Sequence, residues 1–237
     1  MAVEPLLEVE NIHKIYEGAQ GGVPALRGVT FSVSRGDFLA VRGPSGCGKS
    51  TLLHIVGAMD RPSRGTVRLG GLALDGLPPH QLARVRRRQI GFVFQSFNLL
   101  PTLTVAENVV LPLLLDGQAA RTARARVLEL LQQVGLLERA EHFPAQLSGG
   151  EMQRVAVARA VAAAPDLVLA DEPTGNLDSQ NGARIMQLLA ELNQRFGMTV
   201  LLATHSDEAA AYARRALHLR DGRLERIDGD EKLAESV

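Results

Sequence analysis

Hydrophobic and polar positions divide the chain into segments of different kinds. Near the N-terminus apolar residues alternate with polar ones, at 29–33 and again at 67–69, which predicts half-buried antiparallel strands. Continuous apolar runs, which are typical of buried parallel strands, occupy 38–41, 167–170 and 199–204. A helical stripe of apolar residues at 185–192 separates the last two runs. This β-α-β arrangement predicts a core with a parallel sheet.

The middle of the chain shows no strand pattern and is predicted to be helical. Apolar residues recur at helical spacing from Val127 to Val134, and Pro101, Pro112 and Pro144 are expected to interrupt the segment. The prediction is one α/β domain in which a mixed, largely parallel core sheet carries an N-terminal antiparallel β subdomain and a helical insert. Its expected parts are a core at 1–95 and 165–226, a helical subdomain at about 96–164 and a polar, loose tail at 227–237.

Composition narrows the classes of function. The formal net charge is zero, so no overall positive field attracts nucleic acid, and no nucleic-acid partner is expected. The single cysteine excludes an intrachain disulfide and fits a reducing compartment. The acidic N-terminal stretch does not resemble a signal peptide, and no apolar run approaches the roughly 20 residues that span a bilayer. We therefore expect a cytoplasmic protein that reaches a membrane only through another protein.

The stretch GPSGCGKST at 43–51, called the phosphate loop below, holds the strongest local motif. It matches G-x-x-x-x-G-K-[ST] between an apolar run and a predicted helix, which is the context of phosphate binding. Glycines let backbone N–H groups approach phosphate oxygens, and the helix N-terminus adds partial positive charge. Lys49 is predicted to contact the β- and γ-phosphates, and the Ser50 hydroxyl to hold Mg²⁺. The predicted phosphate contacts are Gly43, Pro44, Ser45, Gly46, Cys47, Gly48, Lys49, Ser50 and Thr51.

Two alternatives stay open for the phosphate loop. The stretch could be an ordinary glycine turn before a helix, with no ligand. Cys47, at the N-terminus of a helix, is either a thiol of raised reactivity or a small residue that fits the loop.

Two adjacent acids, Asp171 and Glu172, end the apolar run at 167–170. Asp171 is predicted to hold Mg²⁺, directly or through water, and Glu172 to act as the general base that polarises the attacking water. His205 follows the next parallel strand and is predicted to reach the γ-phosphate as a hydrogen-bond donor. Acids at a strand end can instead cap the following helix, and this alternative stays open.

Taken in order, the motifs resemble those of the nucleotide-binding subunits of ABC (ATP-binding cassette) transporters over residues 6–226. The resemblance rests on Tyr16, GPSGCGKS at 43–50, GFVFQ at 91–95, LSGGE at 147–151, LVLADE at 167–172, GNLDS at 175–179 and ATHS at 203–206. Stretches such as FNLLPTLTVAENV and VGAMDRPSRG look like the subgroup that includes lipoprotein-releasing and macrolide or peptide export ATPases. The resemblance implies the P-loop NTPase fold of an ABC-type nucleotide-binding domain.

The resemblance also implies roles that the residues alone do not show. Tyr16 matches an aromatic residue that stacks on adenine, with simple packing as its alternative. Gln95 matches a residue that contacts Mg²⁺ and water where the core meets the helical insert. Asp178 matches a residue at a dimer interface, with helix capping as its alternative. The implied catalytic residues are Lys49, Gln95, Glu172 and His205, and the implied metal ligands are Ser50, Gln95 and Asp171.

Residues 147–151, called the signature segment below, imply a second subunit. In this family two cassettes face head to tail, and each ATP lies between the phosphate loop of one and the signature segment of the other. Ser148, Gly149, Gly150 and Glu151 are therefore expected at the partner's nucleotide. The two glycines oppose the helix that Ser148 and Glu151 cap, by up to about 2 kcal/mol together. Each hydrogen bond to a charged phosphate returns about 1.5–3 kcal/mol, so ATP is expected to drive dimer closure and hydrolysis to release it.

Two positions depart from the family pattern. Glu151 stands where glutamine is commoner, and Ser206 stands where aspartate is usual. Neither has a predicted role in the chemistry. A third feature, the basic run at 84–89, is predicted to be a solvated face, with contact to acidic lipid headgroups as its alternative.

The expected function is an ATP- and Mg²⁺-dependent ATPase subunit on the inner face of the cell membrane. It would act as a homodimer with integral membrane permease subunits and move a lipoprotein, peptide or drug-like substrate. No additional C-terminal regulatory domain is recognised, which favours export over import. A soluble ABC ATPase acting on nucleic acid is disfavoured, because only about fifty residues without sustained heptads separate Gln95 from Leu147. One acting on ribosomes is disfavoured because such members usually carry two cassettes, and this sequence shows one. A binding module without turnover is disfavoured because Lys49, Asp171, Glu172 and His205 are all present.

Overall fold

The computed structural model describes residues 5–17 and 22–229. The strands in these residues are β1 (Leu7–Tyr16), β2 (Val23–Val33), β3 (Phe38–Arg42), β4 (Arg64–Leu69), β5 (Leu72–Ala73), β6 (Ile90–Phe94), β7 (Leu167–Asp171), β8 (Thr199–Thr204), β9 (Arg215–Arg220) and β10 (Arg223–Asp228). The α-helices are α1 (Lys49–Val56), α2 (Pro79–Gln89), α3 (Val105–Leu115), α4 (Ala120–Gln133), α5 (Gly149–Val161), α6 (Ser179–Phe196) and α7 (Asp207–Ala210). Short 3-10 turns occupy Leu137–Arg139 and Pro144–Gln146.

A six-stranded sheet forms the core, in the order β10-β9-β3-β8-β7-β6. The five strands from β9 to β6 run parallel, and β10 pairs antiparallel with β9. The three continuous apolar runs of the sequence are β3, β7 and β8, and nearly all their residues are buried. Their side chains alternate between two hydrophobic clusters, one with α3 to α6 and one with α1 and the N-terminal sheet. The predicted parallel core with the β7-α6-β8 unit is confirmed.

The strand order brings four carboxyl ends to neighbouring places at one edge of the core sheet. β3 runs into the phosphate loop, β8 ends immediately before His205, β7 ends at Asp171, and β6 ends immediately before Gln95. In open α/β sheets ligands bind outside the carboxyl ends of the strands. The fold therefore gathers the predicted catalytic residues at the edge where a ligand is expected.

A separate four-stranded antiparallel sheet, in the order β2-β1-β4-β5, forms the N-terminal subdomain. In β2 the alternating residues Val29, Phe31 and Val33 are buried while Thr30 is exposed, as the sequence pattern predicts. The sheet shares its apolar cluster with α1 and one face of the core sheet. The predicted antiparallel subdomain is confirmed.

The insert between β6 and β7 is helical, but Pro112 does not break it. Pro112 lies inside the continuous helix α3, so the expected interruption is wrong. A capping box between Thr104 and Glu107 holds the first turn, and one face buries Val105 and Val109. These contacts outweigh the backbone hydrogen bond that a proline removes near the end of a helix.

Helix α5 lies directly on the core sheet, although it falls in the predicted helical subdomain. A Cβ built on Gly91 of β6 would lie 2.2 Å from the Ala160 carbonyl oxygen of α5. Backbone therefore meets backbone at this point, and only glycine permits the approach. The division of the chain into core and helical subdomain stays a prediction, and this contact packs α5 against β6 of the core sheet.

Three further findings differ from the sequence-based expectations. Strand β10 extends to Asp228, so the expected loose tail cannot begin at 227, and 230–237 lie outside the described residues. In the basic run of α2, Arg87 and Arg88 both donate to Asp116 Oδ1, at 2.9 and 2.6 Å. This part of the run therefore binds the residue that ends α3 and is not a free solvated face. Within 5–17 and 22–229 no helix combines the length and apolarity that crossing a membrane requires.

Candidate active site

The phosphate loop connects β3 to α1 in a conformation that depends on glycine. Gly43 has φ +153° and Gly48 has φ +108°, and Gly48 is the N-cap residue of α1. A Cβ on Gly43 would lie 2.2 Å from the Leu219 carbonyl oxygen, and one on Gly48 would lie 2.6 Å from that of Ala25. No side chain caps this helix, so its first N–H groups are not capped from within. The loop fits the shape of an anion cradle at a helix N-terminus.

Lys49 is held inside the phosphate loop. Its side chain is 7% exposed, and Nζ donates to the carbonyl oxygens of Gly43 at 2.8 Å and Pro44 at 3.1 Å. Nζ also lies 3.9 Å from Glu172 Oε1. The ammonium group is therefore fixed between the loop and the end of β7, where it can contact a phosphate oxygen.

The remaining residues of the phosphate loop differ in exposure. Pro44, Ser45 and Gly46 form its exposed part, and Thr51 is half-buried in the first turn of α1. Cys47 is buried, and a Cβ on Gly43 would lie 2.7 Å from its sulfur. The surroundings of Cys47 therefore fit a small residue that packs in the loop. A thiol of raised reactivity would need an exposed sulfur, and this one is buried.

Ser50 and Asp171 meet at the metal position that the sequence predicts. The Ser50 hydroxyl donates to Asp171 Oδ1 at 3.1 Å. Burial raises the pKa of the Asp171 carboxyl, against the smaller lowering by the Ser50 hydrogen bond. A half-buried carboxylate beside a hydroxyl is a pair of hard oxygen ligands, which is what Mg²⁺ prefers. These two residues fit the cation that the resemblance implies.

Glu172 is fixed through both oxygens of its carboxylate. Oε1 lies 2.8 Å from His205 Nδ1, and the Thr204 hydroxyl donates to Oε2 at 3.2 Å. The backbone at Glu172 is left-handed, with φ +45°, which is uncommon for a residue with a Cβ. The His205 side chain is 61% exposed and lies between Glu172 and solvent. The arrangement is that of an oriented base with a hydrogen-bond donor beside it.

Gln95 and Asp178 make local contacts whose partners the sequence does not reveal. Gln95 Nε2 donates to Asn176 Oδ1 at 3.2 Å, and Asn176 Nδ2 donates to the Gln95 carbonyl at 3.0 Å. Asp178 caps α6 by accepting from the backbone and side chain of Asn181, at 2.8 and 2.7 Å. These hydrogen bonds hold the pKa of Asp178 below its usual range. The capping alternative for Asp178 is thus present, and the roles of Gln95 at the metal and of Asp178 at an interface stay predictions.

The signature segment forms the first turn of α5 as a capping box. The Ser148 hydroxyl accepts from the Glu151 backbone N–H at 3.3 Å, and Glu151 Oε2 accepts from the Ser148 N–H at 2.9 Å and hydroxyl at 2.8 Å. The Ser148 N–H is the main cause of a lowered Glu151 pKa. Among the described residues, no hydrogen bond or ion pair joins this segment to the phosphate loop. The N-termini of α1 and α5 are therefore not joined by these contacts.

The two glycines of the signature segment differ in their surroundings. A Cβ on Gly149 would lie 3.4 Å from Leu177 and 3.7 Å from Phe97, which are ordinary contact distances. A Cβ on Gly150 would lie 2.8 Å from the Asn181 side-chain oxygen. Neither glycine has a positive φ. The fold of this chain gives a partial reason for Gly150 and none for Gly149.

Tyr16 ends strand β1 and is bound to the neighbouring loop. Its hydroxyl donates to Asp60 Oδ2 at 3.1 Å, and Lys14 Nζ lies 4.9 Å from the ring centroid. The side chain is 40% exposed. The structure thus leaves part of the ring available, and its stacking on adenine stays a prediction.

Sequence reasoning missed Thr204 and Asn176, which hold Glu172 and Gln95 in place. A signal exists for Thr204, because it is the polar last residue of an otherwise apolar buried strand and directly precedes His205. For Asn176 the sequence offers no comparable signal, since its partner lies 81 positions away.

The sequence model of the family described as ABC transporter matches residues 26–175, more than half of the chain. The chain belongs to the ABC transporter family. The predicted fold class, an ABC-type P-loop NTPase domain, is confirmed.

Named relatives agree with the subgroup that the sequence indicates. The lipoprotein-releasing system ATP-binding protein LolD of Bordetella pertussis is 45% identical over 93% of this chain and 96% of its own length. The macrolide export ATP-binding/permease protein MacB of Chlorobium luteolum is 48% identical over 92% of this chain. ABC transporter H family member 2 of Dictyostelium discoideum is 46% identical over 94% of it. The chain spans 32% and 44% of the last two proteins, less than half of each.

A solved relative has been captured with reaction products. The ATP-binding cassette of Methanocaldococcus jannaschii, a dimeric structure of a post-hydrolysis state bound to ADP and Pi, is 42% identical and superposes with a TM-score of 0.88. The match covers 94% of this chain and 98% of that one. The ABC ATPase cassette family of this chain therefore includes a dimeric member seen after hydrolysis.

Proposed function

We propose that this protein is the ATP-hydrolysing subunit of an ABC membrane complex. It works as an ATP-dependent homodimer with separate integral membrane permease subunits, on the inner face of the cell membrane. The substrate is a lipoprotein, peptide or drug-like molecule that the complex exports or extracts. The observation that carries the proposal is the meeting of Lys49, Glu172 and His205 at one edge of the core sheet, beside the phosphate loop.

The chemistry at this edge is hydrolysis of the terminal phosphoanhydride bond. Backbone N–H groups of the phosphate loop and Lys49 hold the β- and γ-phosphates. Glu172 accepts a proton from water as the water oxygen attacks phosphorus, and the bond to the bridging oxygen of ADP breaks. Thr204 holds the Glu172 carboxylate through Oε2, and His205, beside Oε1, is placed to donate to the γ-phosphate. Ser50 and Asp171, with the predicted contact from Gln95, would hold Mg²⁺, which when bound would neutralise charge on the phosphates.

The signature segment supplies the other side of the nucleotide site from a second copy of the chain. Among the described residues, no hydrogen bond joins its N–H groups or the Ser148 hydroxyl to the phosphate loop of the same subunit. An ATP in the partner's phosphate loop provides the anion that this helix N-terminus binds. Asp178 lies beside the signature segment through Asn181, and Tyr16 stacks on the adenine ring.

A groove beside Gln95 supports a permease partner. Its volume of about 550 Å³ lies within the general size range of ligand clefts, and its walls come from α2, β6, α3 and α5. Met59 and Leu115 line it and are 41% and 62% exposed, which is unusual for large apolar side chains. Phe94, immediately before Gln95, also lines it. We assign this groove to a cytoplasmic segment of the permease, so that movement there reaches Gln95.

The first experiment on this proposal is the Glu172→Gln variant in an ATPase assay. The variant keeps the shape of the base and loses its ability to accept a proton, so we expect turnover to fall by about 10²–10⁴-fold with ATP binding retained. Glu141→Gln, at an exposed position, is the matched control. Undiminished hydrolysis by Glu172→Gln would remove Glu172 as the base.

The second experiment identifies the partner. Tagged Glu172→Gln, which should hold the ATP-bound dimer, is recovered from native membranes with ATP present, and the proteins that accompany it are identified. A permease with few spans and a large extracytoplasmic domain supports the lipoprotein-release or macrolide-export type. Recovery of nucleic acid or ribosomes without an integral membrane protein would overturn the transporter assignment and leave only the ATP-driven dimer.

A further inference from the structure

One buried amide in α5 connects the signature helix to the two turns that carry catalytic side chains. Gln153 is completely buried, and its Nε2 donates to the Pro173 carbonyl at 2.7 Å and the Phe94 carbonyl at 3.1 Å. Pro173 immediately follows Glu172, and Phe94 immediately precedes Gln95. A single side chain therefore fixes α5 against both turns.

The turn at Glu172 needs such a restraint. Glu172 has φ +45° and precedes a proline, and both conditions oppose a relaxed backbone. Its own N–H donates to the Ala203 carbonyl at 2.9 Å, and its carbonyl accepts from Gly175 at 3.0 Å. The hydrogen bond from Gln153 to the Pro173 carbonyl adds a restraint on this turn from α5.

A second set of hydrogen bonds joins α5 to the loop that contains Gln95. The guanidinium of Arg159, two turns after Gln153, donates to the carbonyls of Phe97 at 2.9 Å and Asn98 at 2.5 Å. Both of these residues are left-handed, with φ +57° and +51°. Burial lowers the pKa of Arg159, as expected for a cation enclosed by the loop it holds. Helix α5 thus contacts the end of β6 through Gln153 and the following loop through Arg159.

Packing alone does not account for a glutamine at position 153. The side chain lies in a helix whose neighbouring residues Val155, Ala156 and Val157 belong to the core. Among the described residues no donor reaches its buried Oε1. A buried polar group with an unpaired acceptor costs stability, and an apolar side chain of the same length would avoid that cost. The polar side chain is explained by the two carbonyls that it binds.

We propose that Gln153 is a positioning residue that couples the two ATP sites of the dimer. The inference rests on the proposed function, in which the signature segment contacts the partner's ATP while Glu172 serves the ATP of its own subunit. Engagement of the first turn of α5 shifts Gln153, and the shift is transmitted through Pro173 to the carboxylate of Glu172. Each subunit therefore sets its own base in response to nucleotide bound at the other site.

The test is Gln153→Met, which keeps the length of the side chain and removes both hydrogen bonds. ATP hydrolysis is measured against ATP concentration, and dimerisation is measured in the Glu172→Gln background. We expect kcat to fall about tenfold, because the hydrogen bonds that hold the turns of Glu172 and Gln95 against α5 are lost. We expect the Hill coefficient, at most two for two sites, to fall below that of the parent, towards the value that ATP-driven dimerisation alone produces. Single-site ATP affinity and ATP-driven dimerisation should change by less than about twofold.

Controls separate coupling from a general loss of structure. Gln132→Met makes the same change at an exposed position of α4 and should leave the Hill coefficient and kcat unchanged. A lowered kcat in Gln153→Met with the Hill coefficient of the parent would overturn the coupling, because a structural defect alone would give that result. Unchanged values of both would overturn it equally.

Two further outcomes are decisive. If the Glu172→Gln parent does not dimerise with ATP, the proposed function fails and the coupling fails with it, whereas dimerisation of the parent confines any failure to the coupling. If Gln153→Met unfolds at the assay temperature, Gln153→Glu replaces it, because a neutral carboxyl keeps one O–H donor for the Pro173 carbonyl. We then expect an intermediate Hill coefficient, and a value equal to that of the parent would overturn the coupling.

Discussion

The phosphate loop and the signature segment are two glycine-containing helix N-termini, and they need their glycines for different reasons. In the phosphate loop, Gly43 and Gly48 have positive φ values and sit against the backbone carbonyls of Leu219 and Ala25. In the signature segment, Gly149 has an ordinary helical backbone, and a Cβ there would make only ordinary contacts. The first pair is required by the fold of the chain itself. Gly149 has no such requirement, and we infer that its reason lies outside the chain.

The two helix ends also differ in how they are capped. Helix α1 begins at Gly48 with no side-chain cap, which leaves its N–H groups for a ligand. Helix α5 begins with a complete capping box between Ser148 and Glu151. A capped helix is stable without a ligand, whereas an uncapped one gains its missing partners on binding. We infer that the phosphate loop binds nucleotide in the single subunit and that the signature segment engages only when a second subunit presents one.

The largest effect that this comparison predicts is at Gly48. Gly48→Ala places a Cβ 2.6 Å from the Ala25 carbonyl in a left-handed backbone, so we expect unfolding to become easier by at least about 2 kcal/mol. ATP binding should be lost with it. The control is Gly46→Ala, which also has a positive φ but meets nothing within 4 Å and should cost only about 1 kcal/mol. Equal unfolding free energies for the two variants, measured with urea, would refute the steric argument.

The next effect reverses the sign of the stability change. Gly149→Ala replaces a poor helix former by the best one at an unobstructed position, so the free energy of unfolding should rise by about 0.5 kcal/mol. ATP-driven dimerisation should weaken by at least about tenfold, because the methyl group holds the backbone from the partner's phosphate. Single-site ATP binding should remain. Urea unfolding and sedimentation with ATP in the Glu172→Gln background measure the two quantities.

Two neighbouring variants sharpen the Gly149 experiment. Gly76→Ala adds a methyl group where a Cβ meets nothing within 4 Å. It should change neither the free energy of unfolding nor dimerisation greatly. Gly150→Ala should lower stability instead of raising it, because Asn181 must move and its hydrogen bonds to Asp178 are disturbed. If Gly149→Ala dimerises at the same ATP concentration as the parent, the comparison fails. Neither the fold of the chain nor the partner's nucleotide would then explain a glycine at position 149.

The sequence predicts those parts of the fold that have a strong local pattern. The parallel strands β3, β7 and β8 are continuous apolar runs, and the capping box from Ser148 to Glu151 predicts the start of α5. Strand β10 and the helical setting of Pro112 were not predicted. β10 lies at the edge of the sheet, where polar residues such as Arg223 are tolerated, and Pro112 is held in place by tertiary packing of α3. Both depend on contacts with distant parts of the chain, which a local pattern does not contain.

The site divides in the same way. Lys49, Asp171 and Glu172 follow from a loop motif and the ends of apolar strands, and the parallel topology brings them together. The supports of these residues, such as Thr204 and Gln153, are single polar residues within apolar elements and are recognised only when their partners are seen. Sequence motifs identify the groups that act. The groups that hold them are revealed by three-dimensional contacts.

The smallest predicted effect concerns Glu151, whose carboxylate lies at the N-terminus of α5. Glu151 accepts both the N–H and the hydroxyl proton of Ser148, and it places a negative charge where the partner's γ-phosphate would bind. Glu151→Gln keeps an acceptor for the cap and removes the charge, at a cost of about 0.5 kcal/mol from the helix dipole. We expect the ATP concentration for half-maximal dimerisation to fall by about threefold, because phosphate no longer competes with a carboxylate.

Stability measured against pH gives a second reading on the same variant. The pKa of Glu151 is lowered in the folded chain, so its stabilisation is complete above the ordinary glutamate pKa and is lost as pH falls through the lowered value. Glu151→Gln should lack this loss under acid conditions. Glu107→Gln, in the equivalent capping box of α3, should show the same small cost in stability with no change in dimerisation. If both variants dimerise like the parent, the charge at 151 does not oppose ATP, and the two helix ends differ in their glycines and in the capping box but not through that charge.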